Sequence, residues 1–131
     1  MQLRSLILAI LCTLAVVLPA RAHHSHARFD NSQWRVIDGT VQRVHLVNPH
    51  SWIYVEVTDE KGQVEMVALE ATNPNSIQQA GIARDHVQSG DRIHVRCHPT
   101  RDGATSVCLL GFVTPMHGDM ARGHGVERAW N

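Results

Sequence analysis

Apolar and polar positions alternate with a two-residue period along much of the chain, the pattern of half-buried strands. In "SWIYVEVTD" (51–59) Ile53, Val55 and Val57 take one face while Trp52, Tyr54 and Glu56 take the other. "DEKG" (59–62) then reads as a hairpin turn into "QVEMVALE" (63–70). The preceding run, "RVIDGTVQRVHLV" (35–47), loses its alternation across Gly39, where a bulge or bend is expected. "NPNSIQQAG" (73–81) is the one good helix candidate, with Asn73 to cap it, Pro74 at its first position and Gly81 to close it. Two further strands follow. Along the first, Ile93, Val95 and Cys97 face one way, and Arg92, His94, Arg96 and His98 the other. Its partner is "SVCLLGFV" (106–113). Centring their connection on Asp102-Gly103 as a four-residue loop, 101–104, sets Cys97 opposite Cys108, Val95 opposite Leu110 and Ile93 opposite Phe112. Beyond Thr114 the periodicity fails, and residues 115–131 read as an irregular, loose tail.

The first 22 residues break this pattern. Arg4, the apolar run "LILAILCTLAVVL" (6–18) and Ala20-Arg21-Ala22 have the layout of a signal peptide cut after Ala22, and the run is short of the roughly 20 residues a spanning helix needs. The expectation is an exported protein, periplasmic or secreted, with no stable membrane anchor after cleavage and a single domain over 23–114. Losing Arg4 and Arg21 leaves ten basic residues against twelve acidic ones, a net charge of −2 that offers no footprint for nucleic acid.

Export would leave Cys97 and Cys108 facing each other on one hairpin in an oxidising compartment, so a cross-strand disulfide is expected. Two buried free thiols are the alternative. With no Cys-x-x-Cys spacing, redox or metal chemistry at this pair is a weaker one.

All ten histidines would survive cleavage, and three of them, His23, His24 and His26, would stand at the new N-terminus. His23 would then carry an α-amine and an imidazole on one residue, a chelating pair of nitrogens suited to copper(II). His24 or His26 adds a third nitrogen, and His50 of "NPHSW" (48–52) offers an imidazole from the folded body. Glu70, at the end of the third strand, is placed to ligate a metal or orient a histidine. His45 reads as a strand residue on the face of Gly39, Val41 and Arg43, and His94 and His98 read as solvated strand residues. His86, His117 and His124 have no partner at informative spacing.

"AHHS" (22–25), "FD" (29–30), "GTV" (39–41), "NPHSW", Glu70, "GD" (90–91) and "HP-x-x-DG" (98–103) together resemble a family of small exported bacterial proteins classed only as a domain of unknown function. The resemblance implies an all-β fold: a small OB-like β-barrel of about five strands with one short helix across an end. Five strands with the helix between the third and fourth agree with that order, and a β-sandwich is the alternative. Cys97, Cys108 and the tail depart from the family pattern, and His26 stands where an aromatic is common.

Three roles follow for consideration. The first is copper binding through His23, His24, His26, His50 and Glu70. The second is a non-enzymatic module that holds a periplasmic partner or small ligand on Trp52 and Tyr54. Catalysis is the weakest, for lack of a nucleophile elbow, a phosphate loop or paired carboxylates.

Overall fold

The structure, a computed structural model, describes residues 26–131. The expected leader and cleavage site, with His23 and His24, lie outside the described residues. Six strands form one sheet: β1 (Arg35–His45), β2 (Ser51–Thr58), β3 (Val64–Ala71), β4 (Arg92–Pro99), β5 (Val107–Pro115) and the two-residue β6 (Arg128–Ala129). Their order is β3-β2-β1-β4-β5-β6, and a parallel pairing of β3 with β5 closes the first five into a barrel. This is the OB-type arrangement. Closure sets the sandwich alternative aside.

Alternation in β2 places Ile53 and Val55 inside, fully buried, with Trp52 and Tyr54 half-buried outside. Val67 and Leu69 of β3, Ile93 and Val95 of β4, and Leu110 and Val113 of β5 complete the interior. Helix α1 (Pro74–Gln79) is capped by Asn73, whose side chain accepts from the Ser76 N–H at 3.0 Å, and its buried Ile77 faces the core. Gly81 follows the helix in the left-handed region, at φ 77°.

The bulge in β1 falls at Gln42 instead of Gly39, since Val41 pairs with Val55 and Arg43 with Tyr54. Gly39 answers a different demand: a Cβ there would stand 2.5 Å from the Glu56 carbonyl oxygen and from Val55 Cγ1. The extra residue reverses the alternation that follows it. Val44 and Leu46 therefore pack on the core, and His45 turns to the outer face against Tyr54 instead of sharing the face of Val41.

The β4–β5 register also differs from expectation. Cys97 pairs with Leu110, Val95 with Val113 and Ile93 with Pro115, with Gly111 left over between Leu110 and Phe112. The connection spans seven residues, 100–106, because Thr100 is drawn into a bridge with Phe29 and β5 is recruited by β3, where Ala68 N–H donates to the Ser106 carbonyl at 2.8 Å. Cys108 thus lies opposite Pro99, diagonal to Cys97, and the Cys97–Cys108 disulfide forms with 5.7 Å between the Cα atoms.

The tail is not loose. Met116 N–H donates to Arg92 O, β6 pairs with β5, and Trp130 enters the core at 1% exposure. The sequence pattern failed here because a single buried indole and a two-residue strand leave no periodicity.

Candidate functional site

The corner where β2 begins and β3 ends brings together His50, Trp52 and Glu70, all three candidates from sequence. Ser51 points inward and is buried, so His50 before it turns outward, to the same side as Trp52. Trp52 pairs with Glu70 across the β2–β3 ladder. His50 Nδ1 stands 2.7 Å from Glu70 Oε1, with side-chain exposures of 27% and 6%.

Glu70 in turn pairs with Leu109 of β5, and Leu109 pairs with His98 of β4, so the three side chains form one outward row across the closure of the barrel. Two strand spacings, roughly 10 Å, separate the backbones of Glu70 and His98. The N-terminal arm lies over this row. Phe29 is buried against the body and bridged to Thr100, Asp30 N–H donates to Pro99 O at 2.8 Å, and Arg101 N–H donates to Arg28 O at 2.9 Å. The arm brings His26, in a short 3-10 turn, edge-on to His50 with 6.0 Å between ring centres.

His98 is held on two sides. Its Nδ1 lies 2.8 Å from the Gln33 carbonyl oxygen, and the Trp34 indole covers its ring at 3.9 Å between centres. Gly111 makes room for that indole, since a Cβ there would stand 2.6 Å from Trp34 Cζ3. Arg96 lies over Trp34 and Phe112, its guanidinium fixed to Glu127 by two hydrogen bonds of 2.9 and 2.8 Å.

Between these walls runs a cleft of about 640 Å³, lined by His26, His50 and His98 with Asn31, Asn73 and Asn131 among its polar neighbours. A backbone carbonyl accepts and never donates, as does an ionised carboxylate. The Nδ1 proton of His50 therefore goes to Glu70 and that of His98 to Gln33. That leaves Nε2 of each ring outside these bonds, and unprotonated it is the nitrogen through which an imidazole ligates a metal.

Glu70 is thus an orienting partner for His50. His98 was missed as a site residue, because only the β3–β5 pairing shows that its face continues that of Glu70. His94 stands apart, paired with Asp38 at 2.8 Å, and His45 packs on Tyr54. Among the described residues, no three His, Cys, Asp or Glu side chains are grouped closely enough to hold a metal ion by themselves. Nor is any helix among them long and apolar enough to cross a membrane.

Residues 10–108 match a family of unknown function, DUF6152. The chain belongs to this family. No curated protein and no solved structure matches it. The segment shared with DUF6152 contains His26, His50, Glu70 and His98 and ends on Cys108, while Trp130 and Asn131 lie beyond it.

Proposed function

We propose that this protein is exported to the periplasm and binds a divalent transition metal in the cleft, with copper(II) the best-matched ion. The observation that carries this reading is the pair of imidazoles, His50 and His98, whose Nδ1 atoms are each engaged by an acceptor while both rings line one cleft. Orienting acceptors of this kind fix the tautomer and direction of metal-ligating histidines. The remaining nitrogens come from His26 and from the start of the processed chain, His23 and His24. A nitrogen-rich, borderline-soft donor set favours copper(II) within the divalent series. Glu70 supports His50 by accepting from its Nδ1.

Isothermal titration with copper(II) tests the reading on protein beginning at His23, beside a version with one added N-terminal residue and the variants His50→Ala and His98→Ala. Each change is expected to weaken binding by about tenfold or more. Equal affinity in the extended protein removes the α-amine from the site, and equal affinity in both alanine variants ends the metal reading.

A second reading, a partner- or ligand-binding module, rests on Tyr54, which lines a shallow cavity of about 370 Å³ with Gln42, Arg43 and Met66. Trp52 is on the same outer face. Capture of a partner that persists in chelator and is lost in Tyr54→Ala favours this module over the metal site.

A further inference from the structure

The C-terminal segment ends beside the candidate cleft and is fastened over a group of buried ionisable side chains. Asn131 lines the cleft, and the preceding Trp130 is tied on both sides: its N–H donates to Gly111 O at 2.9 Å, and its carbonyl accepts from Thr72 N–H at 3.1 Å. Thr72 is itself a cleft residue. Upstream, Arg122 grips Asp91 through two hydrogen bonds of 3.0 and 3.1 Å and donates a third to Asp85 O.

Two imidazoles are buried where this segment meets the body: His86 of the body at 3% and His124 of the segment itself at 2% exposure. Their Nδ1 atoms each meet a backbone carbonyl at 2.7 Å, of Arg122 and His117 respectively. Those contacts place a proton on Nδ1 of each ring, which donates it to the carbonyl. Nε2 of each ring, and Trp130 Nε1, are buried with no hydrogen-bond partner among the described residues. The His86 and Trp130 rings are 6.1 Å apart.

We propose that residues 116–131 are a strap, locked over the cleft end by neutral His86 and released when His86 takes a second proton. The consequence for metal binding rests on the function proposed above, whereas the release itself does not.

The surroundings of the two rings differ in what they offer a new N–H. His124 Nε2 stands 3.8 Å from Asp91 Oδ2, so a second proton on His124 meets a carboxylate. His86 faces Arg122, Arg128 and His124, all cationic or able to become so. Asp91 has both oxygens on Arg122 and a third bond from Gln88 N–H, and Asp85 and Asp119 also act on Arg122. Among the described residues no carboxylate is hydrogen-bonded to His86. Burial and these positive neighbours hold its ring below the ordinary histidine range, although the bond to the Arg122 carbonyl works the other way. The strap is otherwise held by the Trp130 indole in the core, by Glu127 on Arg96 and by the Met116 N–H on Arg92 O. Beyond these contacts its sheet pairing is two residues long.

The test is amide hydrogen exchange on metal-free protein between pH 7.5 and 5.0, read at Trp130 and Thr72 after correction for intrinsic rates. Protection at both amides is expected to fall together, by about tenfold for each unit by which burial lowers the imidazole's pKa. The core amides of Ile53 and Val95 should keep theirs. In His86→Asn, whose side-chain amide can still donate to the Arg122 carbonyl but cannot titrate, protection should no longer depend on pH. His124→Asn should leave the dependence in place. Equal protection at both pH values in the unaltered protein, or an unchanged transition in His86→Asn, overturns the proposal. If His86→Asn does not fold, the His86 ring resonance of the unaltered protein decides. A midpoint coincident with the loss of Trp130 protection supports the strap, and a separate midpoint refutes it. Copper titrations across the same range are a distinct measurement. Failure there with strap release intact rejects the metal reading and leaves this one standing.

Discussion

Replacing Glu70 by Gln isolates what the carboxylate does for His50. The side chains are of similar size and shape, and the position is almost closed to water, so packing changes little. What changes is the acceptor for the Nδ1 proton, from an anion at 2.7 Å to a neutral amide oxygen. Hydrogen bonds to a charged partner contribute about 1.5–3 kcal/mol net, roughly twice a neutral one, so the exchange should cost about 1 kcal/mol in the metal-free protein. In a domain of this size that lowers the melting temperature by about 5 °C. With a cation on Nε2 the ring is polarised and leans harder on its acceptor. Copper(II) affinity should then fall by about 10- to 100-fold, or about 1.4–2.7 kcal/mol. The assay is a competition titration run as a double-mutant cycle with His50→Ala, together with thermal unfolding of all four proteins. Once His50 is gone, Glu70→Gln should have no further effect on affinity. A Glu70→Gln protein that binds copper(II) as tightly as the parent, or that weakens binding equally without His50, refutes the orienting role.

Breaking the Cys97–Cys108 crosslink, with its sequence separation of 11, should cost about 3 kcal/mol through the freedom restored to the unfolded chain; urea unfolding with and without reductant measures it, and coincident midpoints would disprove it. Gly111→Ala should drive the Trp34 indole off His98, costing about 1–3 kcal/mol from the 2.6 Å clash and changing Trp34 fluorescence; an unaltered spectrum and stability would show that the stack adapts. Because the folded His86 pKa is depressed, the unfolded chain binds more protons below pH about 6.5. The contribution of His86 is therefore complete above that pH and declines as pH falls toward the folded pKa, at up to about 1.4 kcal/mol per unit. Denaturation midpoints compared between the parent and His86→Asn across pH 7.5 to 5 should converge on that slope, and parallel curves would contradict it.

Local chemistry was the readable part of the sequence. The Asn73-Pro74 start of α1, the turn at Asp59 and the two faces of β2 each depend on residues within a few positions of one another. Errors appeared where a distant partner decided the outcome. Gln42 is the extra residue of β1 just past Thr40, where pairing with β4 ends and pairing with β2 begins, and Gly111 is left over in β5 just past Leu109, where pairing with β3 ends. The candidate site divides in the same way. His50, in a distinctive motif, and Glu70, at a strand end, could be singled out by eye. His98 joins them only through the parallel closure, and no periodicity announces a contact between residues 98 and 33.

The two-residue β6 has a consequence out of proportion to its length. β3 pairs with β5 at Val107, Cys108 and Leu109, and β6 takes over at Phe112 and Val113. Without β6 the later half of β5 would present unpaired N–H and C=O groups beside exposed aromatic surface, an open template for strand addition. Shortening the chain before Arg128 should therefore expose an edge that pairs with the same edge of other copies.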